Sequence, residues 1–273
     1  MKPSFLFLLV VGLLVACADG KKSETVAVMG DSLKVDSLMT DSDTVAIDSV
    51  PLAADGLFAD FVYGYMKSRK RQLERTTFPL SVKVDGKESM VQKEQWQYDK
   101  LFSRMDMICL LYQDEKSIGV EKDTAIKLVS VDMFDLKKNY VKQYVFQKPK
   151  GQWYLTNINQ HALAQNENSD FYKFYRQFAS STKYQKQHIA NPFLFTTYDS
   201  DNFSTIEGTL DVVQWPDYAP EFPQGMVATI NYGQTFPNPN TRVLMLYGVS
   251  NGMTCTLVFK KVRGEWMMTK FSN

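Results

Sequence analysis

Apolar residues recur at helical spacing in two stretches of this chain. Leu57, Phe58, Phe61, Val62, Tyr65 and Met66 form a wide apolar stripe that predicts an amphipathic helix over 56–75, with Asp55 as its N-cap. Phe171, Phe174, Tyr175 and Phe178 predict a second helix. Strand patterns follow each one. After the first, Pro79–Asp85 reads as a strand closing on a turn at Asp85-Gly86, a short helix is expected around Gln92–Phe102 with Trp96 and Leu101, and strand-like runs lie at 107–113, 125–136 and 140–147. After the second, strand-like runs occupy 193–199, 226–232 and 242–249, and Asn251-Gly252 is a strong hairpin signal.

The two series share a sequence. Val145–Ile158 is matched without a gap by Val258–Phe271, at a spacing of 113 residues. Val, Phe, Lys, Gly, Trp and Thr are identical across the pair, which predicts a strand, a turn ending in Gly151 or Gly264, and a strand opening on Trp153 or Trp266. Glycine suits a turn position of positive φ, and each Trp is a large apolar anchor. Pro192 stands 113 after Pro79, and Asp170-Phe171 matches Asp60-Phe61 at an offset of 110. The chain therefore reads as two copies of one α+β unit, over 56–160 and 165–273. Only about eleven residues join Ile158 to Asp170, too few for two independent beads, so the copies are expected to pair within the chain.

Composition changes the picture only at the N-terminus. With 44% hydrophobic residues and a net charge of +1, the chain can fill real cores and offers no overall argument for nucleic acid. Residues 17–55 differ: eight acids face Lys21, Lys22 and Lys34, Asp-Ser recurs four times and no aromatic occurs, the composition of a solvated tether. Before it, Lys2 and the apolar run Phe5–Val15 make a targeting segment over 1–16, too short to span a membrane comfortably. Its end, Leu14-Val15-Ala16-Cys17, resembles a bacterial lipobox. That resemblance implies lipidation of Cys17 and anchoring in the bacterial cell envelope; Ala18 after the cysteine favours the outer membrane, on either face.

A helix followed by a curled antiparallel sheet ending in Gly-x-Trp resembles the nuclear-transport-factor-2-like fold, with a cystatin-like arrangement as the alternative. The whole layout resembles uncharacterised lipoproteins of gut anaerobes that carry two such domains. In enzymes of that fold, the resemblance implies catalysis by Asp, His or Tyr inside a cone.

Candidate chemistry is sparse. The sequence carries no Gly-rich phosphate loop, nucleophile elbow or metal-ligand cluster, so no cofactor or metal is expected. His188 is the one histidine placed near a pocket mouth; His161 falls between the repeats. Asp99, Asp106 and Asp132 are carboxylates that periodicity does not bring together. Cys255, in the alternation Met253, Cys255, Leu257, Phe259, is expected to be a buried thiol, out of register with Cys109. The basic helix end, Lys67, Arg69, Lys70, Arg71 and Arg75, is either an anion or headgroup site or a solvated face at the negative helix terminus. Two proline-stiffened loops carry Trp215, Tyr218 and Phe222, then Tyr232 and Phe236. These five aromatics either form a surface for an envelope ligand, glycan or protein, or fold inward to cap the second core. The expected function is a non-catalytic, envelope-anchored binding protein using its second domain; the alternative is a small-molecule hydrolase, isomerase or dehydratase with a conical pocket.

Overall fold

The computed structural model describes residues 55–273, so the targeting segment, Cys17 and the acidic tether up to residue 54 lie outside the described residues. The first apolar stripe forms α1 (Phe58–Lys67) and α2 (Arg69–Glu74). One helix was expected; Ser68 breaks it by turning extended and accepting the Arg71 amide with its hydroxyl. Asp55 does not cap α1, whose first turn has no side-chain cap. It is instead held in a buried two-pronged pair with Arg75, at 3.0 and 2.9 Å, and accepts the Trp153 amide. That pairing also removes Arg75 from any exposed cationic face.

Strands β1 (Thr76–Val84), β2 (Lys87–Val91), β3 (Met107–Tyr112), β4 (Leu128–Asp135), β5 (Tyr140–Gln147) and β6 (Tyr154–Ala162) follow. The helix expected over 92–102 is reduced to a 3-10 turn at Lys93–Gln95. The second segment repeats the order: α3 (Ser169–Ser180), α4 (Thr182–Gln187), β7 (Ile189–Asp199), β8 (Ser204–Leu210), the one-turn α5 (Trp215–Tyr218), β9 (Met226–Asn231), β10 (Thr241–Gly248), β11 (Thr254–Val262) and β12 (Glu265–Ser272). Ser181 breaks this helix as Ser68 breaks the first, taking the Tyr184 amide.

All twelve strands join one mixed sheet in the order β2-β1-β6-β5-β4-β9-β3-β10-β11-β12-β7-β8. Counting outward from the centre, each strand faces its counterpart from the other segment. The segments do not close into separate sheets, because β3 crosses over. It pairs antiparallel with β10, and β9 pairs antiparallel with β4. Residues 55–273 accordingly lie within a single compact unit.

Two cores result. The first gathers Phe58, Phe61, Tyr65, Phe146 and Trp153; the second gathers Phe171, Phe174, Phe178, Phe259 and Trp266. Their geometry coincides at the 113-residue offset. Phe58 meets Trp153 edge-on at 5.0 Å, and Phe171 meets Trp266 at 5.3 Å. Tyr65–Phe146 and Phe178–Phe259 are both edge-on at 5.3 Å. Phe171 thus corresponds to Phe58, correcting the offset of 110 read from the sequence. The turns match as well: Gly151 and Gly264 have φ of 82° and 87°, and Lys148 and Lys261 sit over the two indoles at 5.4 and 4.9 Å.

The crossed strands serve both cores. On β3, Ile108, Leu110 and Tyr112 enter the first core while Cys109 and Leu111 enter the second. On β9, Ala228 and Ile230 enter the first, followed by Tyr232 just past the strand, and Val227 enters the second.

Candidate functional site

The sequence offers five loop aromatics as a binding surface or as a cap on the second core, and the structure turns most of them inward. Trp215 is fully buried, its indole N–H donating to Gln185 at 2.9 Å and its ring edge-on to Phe271 at 5.2 Å. Phe222 is buried against Phe178, and Tyr232 is buried in the first core, 6.1 Å from Phe58. These three present no face to a partner; burial of a large ring outweighs what a stiff loop gains by displaying it. Phe236 is half-buried beneath the Arg242 guanidinium. Tyr218 remains exposed and packs on Phe195.

Trp215 has a counterpart that the sequence conceals. Trp96 is buried and donates its N–H to Gln72 at 3.2 Å, and Gln72 stands 113 residues before Gln185. Both loops open on the same local device, a side-chain capping box at Gln92/Gln95 and at Asp211/Gln214. The loop offset here is 119 rather than 113, which hides the match.

Asp99 anchors a polar cluster on the first core. Its carboxylate accepts the Lys142 ammonium at 3.0 Å, the Tyr144 hydroxyl and the Leu101 amide at 2.9 Å. Burial alone would raise this carboxyl, but Lys142, Tyr144 and the amide outweigh it and hold Asp99 below its usual range. Burial and the same carboxylate push the Tyr144 phenol well up. Deeper in, the Tyr65 hydroxyl bonds to Thr76 at 2.8 Å. At the 113-residue offset the second core has Phe178, Ile189, Cys255 and Leu257 in place of Tyr65, Thr76, Lys142 and Tyr144. The cluster is a satisfied network, with each Asp99 oxygen occupied and no proton acceptor left free.

Asp132 sits where the segments meet, on β4, opposite Thr229 of β9 and Gln143 of β5. It is buried, and its Oδ1, like the Thr229 hydroxyl, has no hydrogen-bond partner. Burial pushes its carboxyl up to about 6, against a smaller pull downward from the Ser130 and Gln143 side chains. Asp132, Thr229, Tyr172, Asn168 and Phe236 line a cavity of about 30 Å³, room for roughly one water. The equivalent pair on the other seam is Leu110–Met245.

The His188 ring stacks on Tyr184 at 3.8 Å and its Nδ1 lies 2.9 Å from the Tyr184 carbonyl, beside a shallow hollow that also touches Trp266. His161 lies in β6, opposite Val141. Asp106 is exposed, and none of Asp99, Asp106 and Asp132 pairs with another. Cys109 and Cys255 are buried and unbridged, and burial pushes their thiols up to about 12 and about 11. Among the described residues, no cluster of three or more His, Cys, Asp or Glu is placed to hold a metal, and no helix is long and apolar enough to cross a membrane.

Exposed apolar residues gather on the hairpin of β7 and β8, of which the sequence pattern predicts only the first strand, at 193–199. Leu194 (55%), Tyr198 (59%), Phe203 (82%) and Ile206 (51%) stand in solvent there, with Val213 and Tyr218 alongside. Every residue of β8 but Leu210 is exposed. Between Lys186 and Arg242 the chain has no Lys or Arg, but it has Asp199, Asp201, Glu207, Asp211, Asp217 and Glu221. The counterpart hairpin, β1–β2, exposes Val84 and Met90 between Lys83, Lys87 and Glu88 and turns on Asp85-Gly86.

A family model described as Domain of unknown function (DUF4348) matches residues 38–273. Among solved structures, a crystal structure of an NTF2-like protein from Bacteroides fragilis NCTC 9343 is similar over 80% of this chain and 96% of its own, with 34% identity and a TM-score of 0.75. No curated protein matches the chain. The mixed α+β architecture with an NTF2-like neighbour agrees with the fold expected from the Gly-x-Trp hairpins.

Proposed function

The chain belongs to the family described as Domain of unknown function (DUF4348), and from that premise we propose a non-catalytic binding protein of the bacterial cell envelope. Its anchor is lipid on Cys17, the reading carried by Leu14-Val15-Ala16-Cys17. Its body is two nuclear-transport-factor-2-like units in tandem, each lending a strand to the other. Supporting this are the shared offset of Phe58/Phe171, Lys148/Lys261 and Trp153/Trp266, the mirrored strand order, and a neighbour whose match is longer than either unit.

The partner surface is the β7–β8 hairpin of the second unit. The observation carrying this is the exposure of the hairpin: Phe203, 82% exposed, stands at its turn, Tyr198 is exposed on one face and Ile206 on the other, and β8 has no buried residue. Large apolar side chains gathered in solvent around one hairpin mark a contact element. The enzyme alternative needs a hollow unit with converging catalytic groups. Its best candidate, Asp132, borders a cavity of about 30 Å³, and aromatic rings occupy both cores.

A photoreactive residue placed at position 203 tests the surface in intact cells. A discrete adduct that is lost in Tyr198→Ser/Ile206→Ser is expected; no adduct, or one that survives the double substitution, removes the hairpin from this role. Cys17→Ser tests the anchor. The variant should leave the membrane fraction, and normal acylation with membrane retention would overturn the lipoprotein reading.

A further inference from the structure

A strand at the rim of a sheet carries a row of unpaired amide and carbonyl groups, and proteins ordinarily blunt it with lysine, proline, a bulge or shortness. The two rims here are treated differently. β2 is five residues long and begins Lys87-Glu88. β8 is seven residues long, Ser-Thr-Ile-Glu-Gly-Thr-Leu, and pairs with β7 through seven consecutive positions with no shift in register. It contains no lysine, arginine or proline. Its one charge, Glu207, discourages an acidic strand from adding to it but not a basic one.

The two faces of β8 differ in chemistry. By its register with β7, Thr205, Glu207 and Thr209 share the face of Leu194, Thr196 and Tyr198, while Ile206 and Gly208 share the face of Thr197 and Phe195. A shallow hollow of about 350 Å³ runs along the first of these faces, lined by Leu194, Thr196, Glu207, Thr209 and Lys270. Lys270 does not offset the acids, because it is engaged by Glu115 at 2.8 Å. Asp199, Asp201 and Asp211 flank the strand at its turn and its end.

From this arrangement we infer that the outer edge of β8 takes up an extended cationic polypeptide segment of the partner, which adds to the sheet as a strand. This rests on the binding role assigned to the hairpin and specifies its occupant. Main-chain hydrogen bonds supply affinity, and alternate side chains supply the choice of sequence. Lysine or arginine on the incoming strand falls opposite Glu207, and its alternate residues, small or branched and apolar, fall opposite Ile206 and Gly208. The surrounding acids steer a basic segment and repel acidic ones, an effect that salt weakens.

The test measures anisotropy of a labelled peptide of alternating lysine and valine with the full chain. Saturable binding that weakens with salt is expected, with at least tenfold loss on Glu207→Lys. Alternating glutamate and valine should bind at least tenfold more weakly to the native chain and recover on the Glu207→Lys variant. The same lysine–valine peptide with alternate amides N-methylated should bind at least tenfold more weakly, since its charge and side chains are kept but its strand pairing is blocked. Equal affinity for the methylated peptide would overturn strand addition, and equal affinity for the acidic peptide would overturn the cationic partner. Lack of peptide binding, with the cellular adduct at position 203 retained, would sink this inference while leaving the binding role standing. A chain that runs as a dimer, with position 203 crosslinked between copies and undisturbed by the peptide, would make the occupant a second copy and overturn it as well.

Discussion

The two antiparallel seams that join the segments, on either side of the parallel β3–β9 pair, are built alike and filled differently. At β3–β10 the paired residues Leu110 and Met245 are apolar; at the equivalent point of β4–β9 they are Asp132 and Thr229, each with an unpartnered oxygen. One backbone register supports both solutions, so geometry does not require the polar one. The same divergence runs through the cores, where Lys142 and Tyr144 join Asp99 on the first and Cys255 and Leu257 stand at their positions in the second. The two segments keep their anchors, Trp153 and Trp266, and vary what surrounds them.

Cutting the molecule between the segments breaks the comparison most severely. Residues 55–160 alone would leave β3 without β10 and β4 without β9, so neither this fragment nor 165–273 should show a cooperative unfolding transition by circular dichroism. Two fragments as stable as the whole would show the crossed strands to be dispensable. Trp153→Ala and Trp266→Ala come next. Each should lower stability by about 3–5 kcal/mol in urea titrations, and each should shift one common transition, because the cores share β3 and β9. Separate transitions would assign each Trp to a unit that folds by itself.

The seam itself gives a pH signature. The folded Asp132 pKa, about 6, lies above the unfolded value, so the folded state holds its proton more tightly. Its contribution is fully present below about pH 4 and lost as pH rises through 6, on the order of 3 kcal/mol in all. Asp132→Met should flatten that slope, and Met245→Asp should create one at the apolar seam. An unchanged profile in Asp132→Met would show that the carboxylate is solvated when ionised. Asp99 runs the other way: held low, it stabilises above its unfolded pKa, and that stability is lost as pH falls through its folded value. Tyr144→Phe should cost about 1 kcal/mol near neutrality and make the acid-side loss shallower; an unaltered acid limb would mean Lys142 and the Leu101 amide hold Asp99 low without it. The smallest effects belong to the turns, where Gly151→Ala and Gly264→Ala each meet open space but a positive φ. About 1 kcal/mol is expected for each, and a much larger loss at one turn would reveal a constraint its twin lacks.

Local periodicity made the helices, the hairpin turns and the Trp anchors legible, because each depends on neighbours within a few residues. The crossed strands depend on pairing far along the chain, and the sequence reading kept β3 within its own segment. A signal was present: Met107–Tyr112 is apolar at every position, the mark of a strand buried on both faces. Trp215, Phe222 and Tyr232 misled because proline marks a stiff loop without saying which way its rings point. Asp132 reads as an ordinary polar position in a strand, since its burial comes from β9, Tyr172 and Asn168. β8 went unnoticed because it hides nothing; with no buried face it has no alternation to detect.

The crossing of β3 also sets a timetable for biosynthesis. When the first segment has left the ribosome, its aromatic cluster can begin to gather, but Ile108 to Tyr112 must wait for Val243 to Tyr247, their partners on β10. Until those residues arrive, β3 and β4 present open edges and apolar side chains, the state in which chains aggregate or are taken up by chaperones. Contacts so distant along the chain form slowly. A polypeptide whose central strands are completed only by β9 and β10 stays pliable through most of its synthesis.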